Sequence, residues 1–162
     1  MPTKKVVKSA GVKIAFFSRV DYGSEGFCLG LWKRLAEISV EEGASFLVLA
    51  GGLVSERIMK AELRSCLKGL KGDEKSLAEV TFYREHVNYL AENIPRIKSP
   101  DLTKKWSTLY IVTSPAYDGD MGAQIAYRLT KRRQDIKHWG EGEAVFPTKQ
   151  EKRDVVVLTP RK

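Results

Sequence analysis

Three stretches of this chain, Val12–Ser18, Ser45–Ala50 and Trp106–Thr113, are dominated by apolar side chains and end abruptly on loops carrying glycine or aspartate. A short, nearly continuous apolar run marks a strand covered on both faces, the habit of parallel sheets. Between the first two runs, Cys28, Leu31, Leu35 and Ile38 recur at helical spacing through residues 27–42. Gly43 follows at the position where a left-handed residue closes a helix. Strand, helix and strand in that order form a βαβ unit, which winds right-handed. The expectation is an α/β fold: a layered sheet with βαβ units and flanking helices, its loops gathered at the carboxyl ends of the strands.

Residues 55–98 read as two helices. Met59, Leu63, Cys66, Leu67 and Leu70 form one stripe, and Val80, Tyr83, Val87, Leu90 and Ile94 form the next. Lys71-Gly72-Asp73 breaks them and Pro95 stops the second, with Asp73 placed to cap it. This αα-hairpin between strands 2 and 3 is longer than a crossover requires, so it is expected to be an insertion. Met121, Ile125 and Leu129 mark a further helix, with Asp118 or Asp120 at its N-terminus. From Asp135 onward the pattern turns β-like, Glu143–Thr148 and Asp154–Thr159 being the best candidates and Gly140 and Gly142 the turn between the first pieces.

With 162 residues and 43% hydrophobic content, one domain is expected over residues 12–162, preceded by a basic flexible arm over 1–11. No apolar run is long enough to cross a bilayer, and MPTKKVVKSAGVK lacks the apolar core of a secretory signal, so the default expectation is cytoplasmic. Cys28 and Cys66 fall on the apolar sides of their helices and read as buried free thiols. The net charge of +8 suits attraction to a polyanion such as nucleic acid.

The three strand-end loops carry a resemblance. The chain reads KIAFFSRVDY then Gly23 at the first, FLVLAGGLV at the second and LYIVTSPAYD at the third. These resemble the loops of the calcineurin-like metallophosphoesterases, which run Ser-Asp-x-His-x-Gly, Gly-Asp-Leu-Val and Gly-Asn-His-Asp. Ser18, Gly23, Gly51, Leu53, Val54 and Asp118 match that frame. Arg19 stands at the first aspartate, Asp21 at the histidine, Gly52 at the bridging aspartate and Ala116-Tyr117 at Asn-His. The family's later motifs, a lone histidine and then Gly-His-x-His, have no counterpart, for the chain holds only His86 and His138. The resemblance therefore covers roughly the first 120 residues, about the leading half of such a domain, and implies that the chain is the N-terminal portion of a larger one.

Arginine ligates no cation and glycine offers no side chain, so the resemblance implies a degenerate pocket of Ser18, Arg19, Asp21, Gly51, Gly52 and Asp118 with no catalytic residue and no metal. Arg19 would then either hold a phosphate or pair with Asp21 or Asp118. A second candidate is a nucleic-acid surface of Arg128, Lys131, Arg132, Arg133, Lys137 and Trp139, cations for phosphates and an aromatic for an unpaired base. A serine elbow, a P-loop and a dinucleotide fingerprint are all missing, and Tyr22–Gly26 reads as a flexible turn.

The expected function is a non-catalytic binding or assembly module, its partner nucleic acid or a protein in a larger complex; inactive copies of this fold serve as subunits of replication machinery. Two alternatives stay open: an active Mn- or Zn-dependent phosphoesterase or nuclease completed by another segment or subunit, and a nucleotide-binding α/β domain.

Overall fold

The computed structural model describes residues 13–99, 105–148 and 153–159; the basic arm at 1–11 lies outside them. Four parallel strands form the main sheet in sequence order: β1 (Ile14–Phe17), β2 (Phe46–Ala50), β3 (Leu109–Thr113) and β4 (Ile136–Glu141). The links between them carry α1 (Leu29–Glu41), α2 (Glu56–Cys66), α3 (Gly72–Asn93) and α4 (Gly119–Arg132). An antiparallel hairpin of β5 (Glu143–Thr148) and β6 (Arg153–Leu158) ends the described chain.

Right-handed crossovers along a monotonic strand order place every helix on the same face of the sheet. Leu47, Leu49, Leu109, Ile111 and Ile136 meet Trp32, Met59, Leu90 and Ile125 there, in one buried cluster. The opposite face is covered by the hairpin, where Val48 and Val112 pack on Ala144, Phe146 and Val157.

Local chemistry explains the element ends. After α1, Gly43 takes φ +80°, the Ala44 N–H donates to Ser39 O and the Gly43 N–H donates to Val40 O. This paired arrangement absorbs the last carbonyls of the helix. The helix pair α2 and α3 stands between β2 and β3 as expected, but Lys71 is the residue at the N-terminal boundary of α3 and Asp73 lies inside its first turn. There its carboxylate acts through the helix dipole.

The amphipathic reading of α1 needs correcting. Trp32 and Ala36 face the core, whereas Leu31, Leu35 and Ile38 are 58, 41 and 39% exposed. Both cysteines are exposed free thiols, contrary to the expected burial. Val80 is also exposed, while Tyr83, Val87, Leu90 and Ile94 are buried as their spacing implies. The third strand is shorter than expected, because Trp106 instead bridges Lys98 in an isolated antiparallel contact. The β-like piece expected after Asp135 is β4, the fourth parallel strand; it runs on through Gly140 to Glu141, with an irregularity opposite Ile111 and Val112.

Candidate functional site

The loops after β1, β2 and β3 converge at the carboxyl ends of the strands. Backbone bonds stitch the first two together: Arg19 N–H to Gly51 O (3.0 Å), Asp21 N–H to Gly52 O (2.8 Å) and Tyr22 N–H to Leu53 O (3.0 Å). The approach is close enough to explain the glycine. A Cβ on Gly52 would lie 2.6 Å from the Arg19 Cα and 2.9 Å from its nitrogen, and Gly52 has φ +73°. Any side chain there, an aspartate included, requires the two loops to part. Arg19 and Asp21 themselves adopt φ 56° and 51°, left-handed values unusual outside glycine.

Asp118 organises the centre. It is fully buried, and its carboxylate accepts the amides of Gly52 (2.9 Å), Val54 (3.0 Å) and Ser114 (2.7 Å). Burial pushes its carboxyl above the ordinary value, and these amide donors pull it back. A ring of inward-pointing amides is a natural anion cradle. In this chain the anion is its own side chain.

At the mouth, Arg19 Nε donates to Asp21 Oδ2 at 3.2 Å, and the guanidinium lies 5.3 Å from the Tyr117 ring centre. The Arg19 side chain remains 64% exposed. Ser18 follows β1 on the rim, and Gly51 sits under Ser114 and Thr159, whose hydroxyl donates to Thr113 O. Sequence-predicted residues Arg19, Asp21, Gly51, Gly52 and Asp118 are thus brought together.

These residues do not fit the dinuclear centre that the phosphoesterase resemblance implies. A fixed cation occupies one ligand position and a bare glycine another, while the Asp118 lone pairs are committed to amides. Among the described residues no group of three or more histidine, cysteine or acidic side chains is arranged to hold a metal ion.

The expected nucleic-acid surface is dispersed. Arg128, Lys131 and Arg132 are exposed on α4, where Arg128 lies over Tyr83 and Lys131 over Tyr127, each 5.0 Å from the ring centre. Arg133 leaves this group, because its side chain is buried. It donates to Asp135 through Nε and Nη2, and to the carbonyls of Ala91, Ile94 and Pro95 at the end of α3. Lys137 and Trp139 lie on the other face of the sheet. The Trp139 ring stacks on Phe146, meets Tyr110 edge-on, and its Nε1 donates to Val145 O.

One polar cluster gave no sequence signal, because its members come from three distant segments. Tyr22 Oη and His86 Nδ1 are 2.8 Å apart, and His86 Nε2 lies 3.8 Å from Glu62. Burial, with Tyr89 and Glu62 nearby, pushes the Tyr22 phenol up to about 12, and burial lowers the His86 imidazole. A protonated phenol beside a neutral ring is a locked hydrogen-bond pair rather than a nucleophile. Tyr22 is accordingly a packed residue, with ring contacts to Phe27, His86 and Tyr89, and not part of a loose turn.

Fold and site together define an open parallel α/β domain with one helical layer and a loop cleft sealed by an internal carboxylate. No family model matches the chain, and comparison with the curated proteins and with the solved structures yields no match.

Proposed function

We propose that this chain is a non-catalytic, metallophosphoesterase-like domain that works as a binding or assembly module in a nucleic-acid-handling complex. The observation carrying the reading is the Asp118 carboxylate in the amide ring of Gly52, Val54 and Ser114, beside a neutralised Arg19–Asp21 pair. A cleft that supplies its own anion and its own counter-ion has little left with which to gather two metals and a phosphoryl group. On this reading the helix pair α2–α3 is an insertion in the phosphoesterase order, and no resident metal is needed.

The nucleic-acid part rests on the net charge of +8 and on Arg128, Lys131, Arg132 and the 56% exposed Tyr127 along one helix. Cations beside an exposed ring suit phosphates and an unpaired base. Titration of a labelled single-stranded oligonucleotide at several salt concentrations tests it. Replacing Lys131 and Arg132 with glutamate is expected to weaken binding and to lower the log–log salt slope by about 0.7 for each cation removed. An unchanged slope removes α4 from the interface. Phosphodiester hydrolysis by the purified chain with added Mn or Zn overturns the non-catalytic assignment.

A further inference from the structure

The ends of α3 and α4 lie side by side, since Arg133, just after α4, donates to the carbonyls of Ala91, Ile94 and Pro95. Helix α4 leaves the carboxyl end of β3 and returns to the amino end of β4, so this meeting is on the far side of the sheet from the loop cleft. Between the two ends is a groove of about 500 Å³ lined by Asn88, Ala91, Glu92, Arg96, Arg132 and Arg133. That size suits one unit of a larger ligand.

A helix end ordinarily repels an anion, because its last carbonyls are unpaired. Here the carbonyls closing α3 are already bonded. All the Arg133 N–H donors are engaged, by those carbonyls and by the Asp135 carboxylate, which also balances the charge. The floor of the groove is therefore neutral and fixed. Its sides are different. Arg96 and Arg132 are exposed, and among the described residues neither has a hydrogen-bond or ion-pair partner, nor does the Asn88 side chain. Two unpaired guanidinium forks and a carboxamide on one groove suit the oxygens of a phosphate.

The rest of α4 indicates what carries that phosphate. Arg132 is one turn on from Arg128, and Arg128 lies over Tyr83 of α3, so this row of cations follows the seam between the helices into the groove. The Glu92 carboxylate on the same groove weakens its hold on a lone ion. A strand that also touches Arg128 and Lys131 needs less from each contact.

We propose that this groove seats a phosphate group of a nucleic-acid strand lying along α4, with Arg96 and Arg132 as its clamp. The site rests on the nucleic-acid reading of α4, which it extends to Arg96, Asn88 and Glu92.

Titration of a labelled single-stranded oligonucleotide at several salt concentrations tests it with the cations of α4 left intact. Arg96→Gln is expected to weaken binding about tenfold and to lower the log–log salt slope by about 0.7, with an unchanged circular-dichroism melt. Lys98→Gln removes the same charge from a second groove, beside α1, that Arg96 also borders, and is expected to change neither quantity. Glu92→Gln is expected to tighten binding about threefold. Inorganic phosphate alone, followed by calorimetry, is expected to bind far more weakly than the oligonucleotide. An Arg96→Gln chain that binds and responds to salt as the wild type does overturns the groove and leaves the α4 reading standing. So does a Lys98→Gln loss as large as that of Arg96→Gln. A wild type that binds no oligonucleotide overturns both, and inorganic phosphate bound as tightly as the strand overturns the strand as the source of the phosphate.

Discussion

Arg132 and Arg133 are chain neighbours with opposite fates. Arg132 is exposed near the end of α4, whereas the Arg133 side chain is 1% exposed and bonded to Asp135 and to three carbonyls closing α3. Charge in a sequence does not separate a solvated cation from a structural one; burial does. Removing one partner of a buried ion pair leaves the other charge uncompensated, which costs about 3–5 kcal/mol. Arg133→Met is therefore expected to lower the urea unfolding free energy by about 3 kcal/mol or more. Arg132→Met should shift it by less than about 0.5 kcal/mol, as surface substitutions do. Equal effects for the two variants would contradict the packing described for Arg133. Asp118 follows the same logic: from sequence it is a possible partner for Arg19, yet its oxygens accept backbone amides and close the loops from within.

At the scale of elements, α1 and the terminal hairpin both present apolar residues on two sides. Helix α1 buries Trp32 and Ala36 and leaves Leu31, Leu35 and Ile38 outside, so the larger aromatic decides which arc faces the sheet. The β5–β6 hairpin buries Ala144, Phe146 and Val157 but exposes Val145, Val156 and Leu158. A two-stranded unit supported on one face is weakly held, and local opening follows local contact. Native-state hydrogen exchange is expected to release the β5–β6 amides well before those of β2 and β3, which have a strand on each side. Equal protection across both sheets would show that the hairpin opens only with the whole domain.

For the molecule as a whole, both histidines couple stability to pH. Burial lowers His86 and His138 below the ordinary value of 6.5, partly offset by Glu62 and Glu85 at the first and by Glu141, the Gly140 backbone and Asp118 at the second. Folding therefore favours the neutral rings. That contribution is complete above 6.5 and is lost as pH falls through the lower folded values. Asp118 acts with the opposite sign, since its carboxyl is raised from 3.8 and protonation favours the fold. The urea midpoint is expected to fall between about pH 7.5 and about pH 5, and the double variant His86→Gln, His138→Gln to flatten that decline. A midpoint that rises on acidification across this interval would reverse the assigned direction for both rings.

Where backbone conformation follows from local pattern, the sequence alone was enough: the strands β1, β2 and β3, the glycine-closed end of α1 and the meeting of their loops all follow from apolarity and turn chemistry, although β1, at the end of the sheet, is not covered on both faces and leaves Phe16 51% exposed. The place of β4 in the sheet, though not its β-like character, was hidden, because Lys137, His138, Gly140 and Glu141 dilute its apolar signal and only pairing with β3 makes it the fourth parallel strand. The character of the cleft was hidden for a related reason. Asp118 accepts from amides 66 and 64 positions earlier, and Arg133 donates to carbonyls of a helix end some 40 positions earlier. Hydrogen bonds across such separations leave no periodicity in a chain, so tertiary structure alone decided which charges are buried and which face of α1 looks outward.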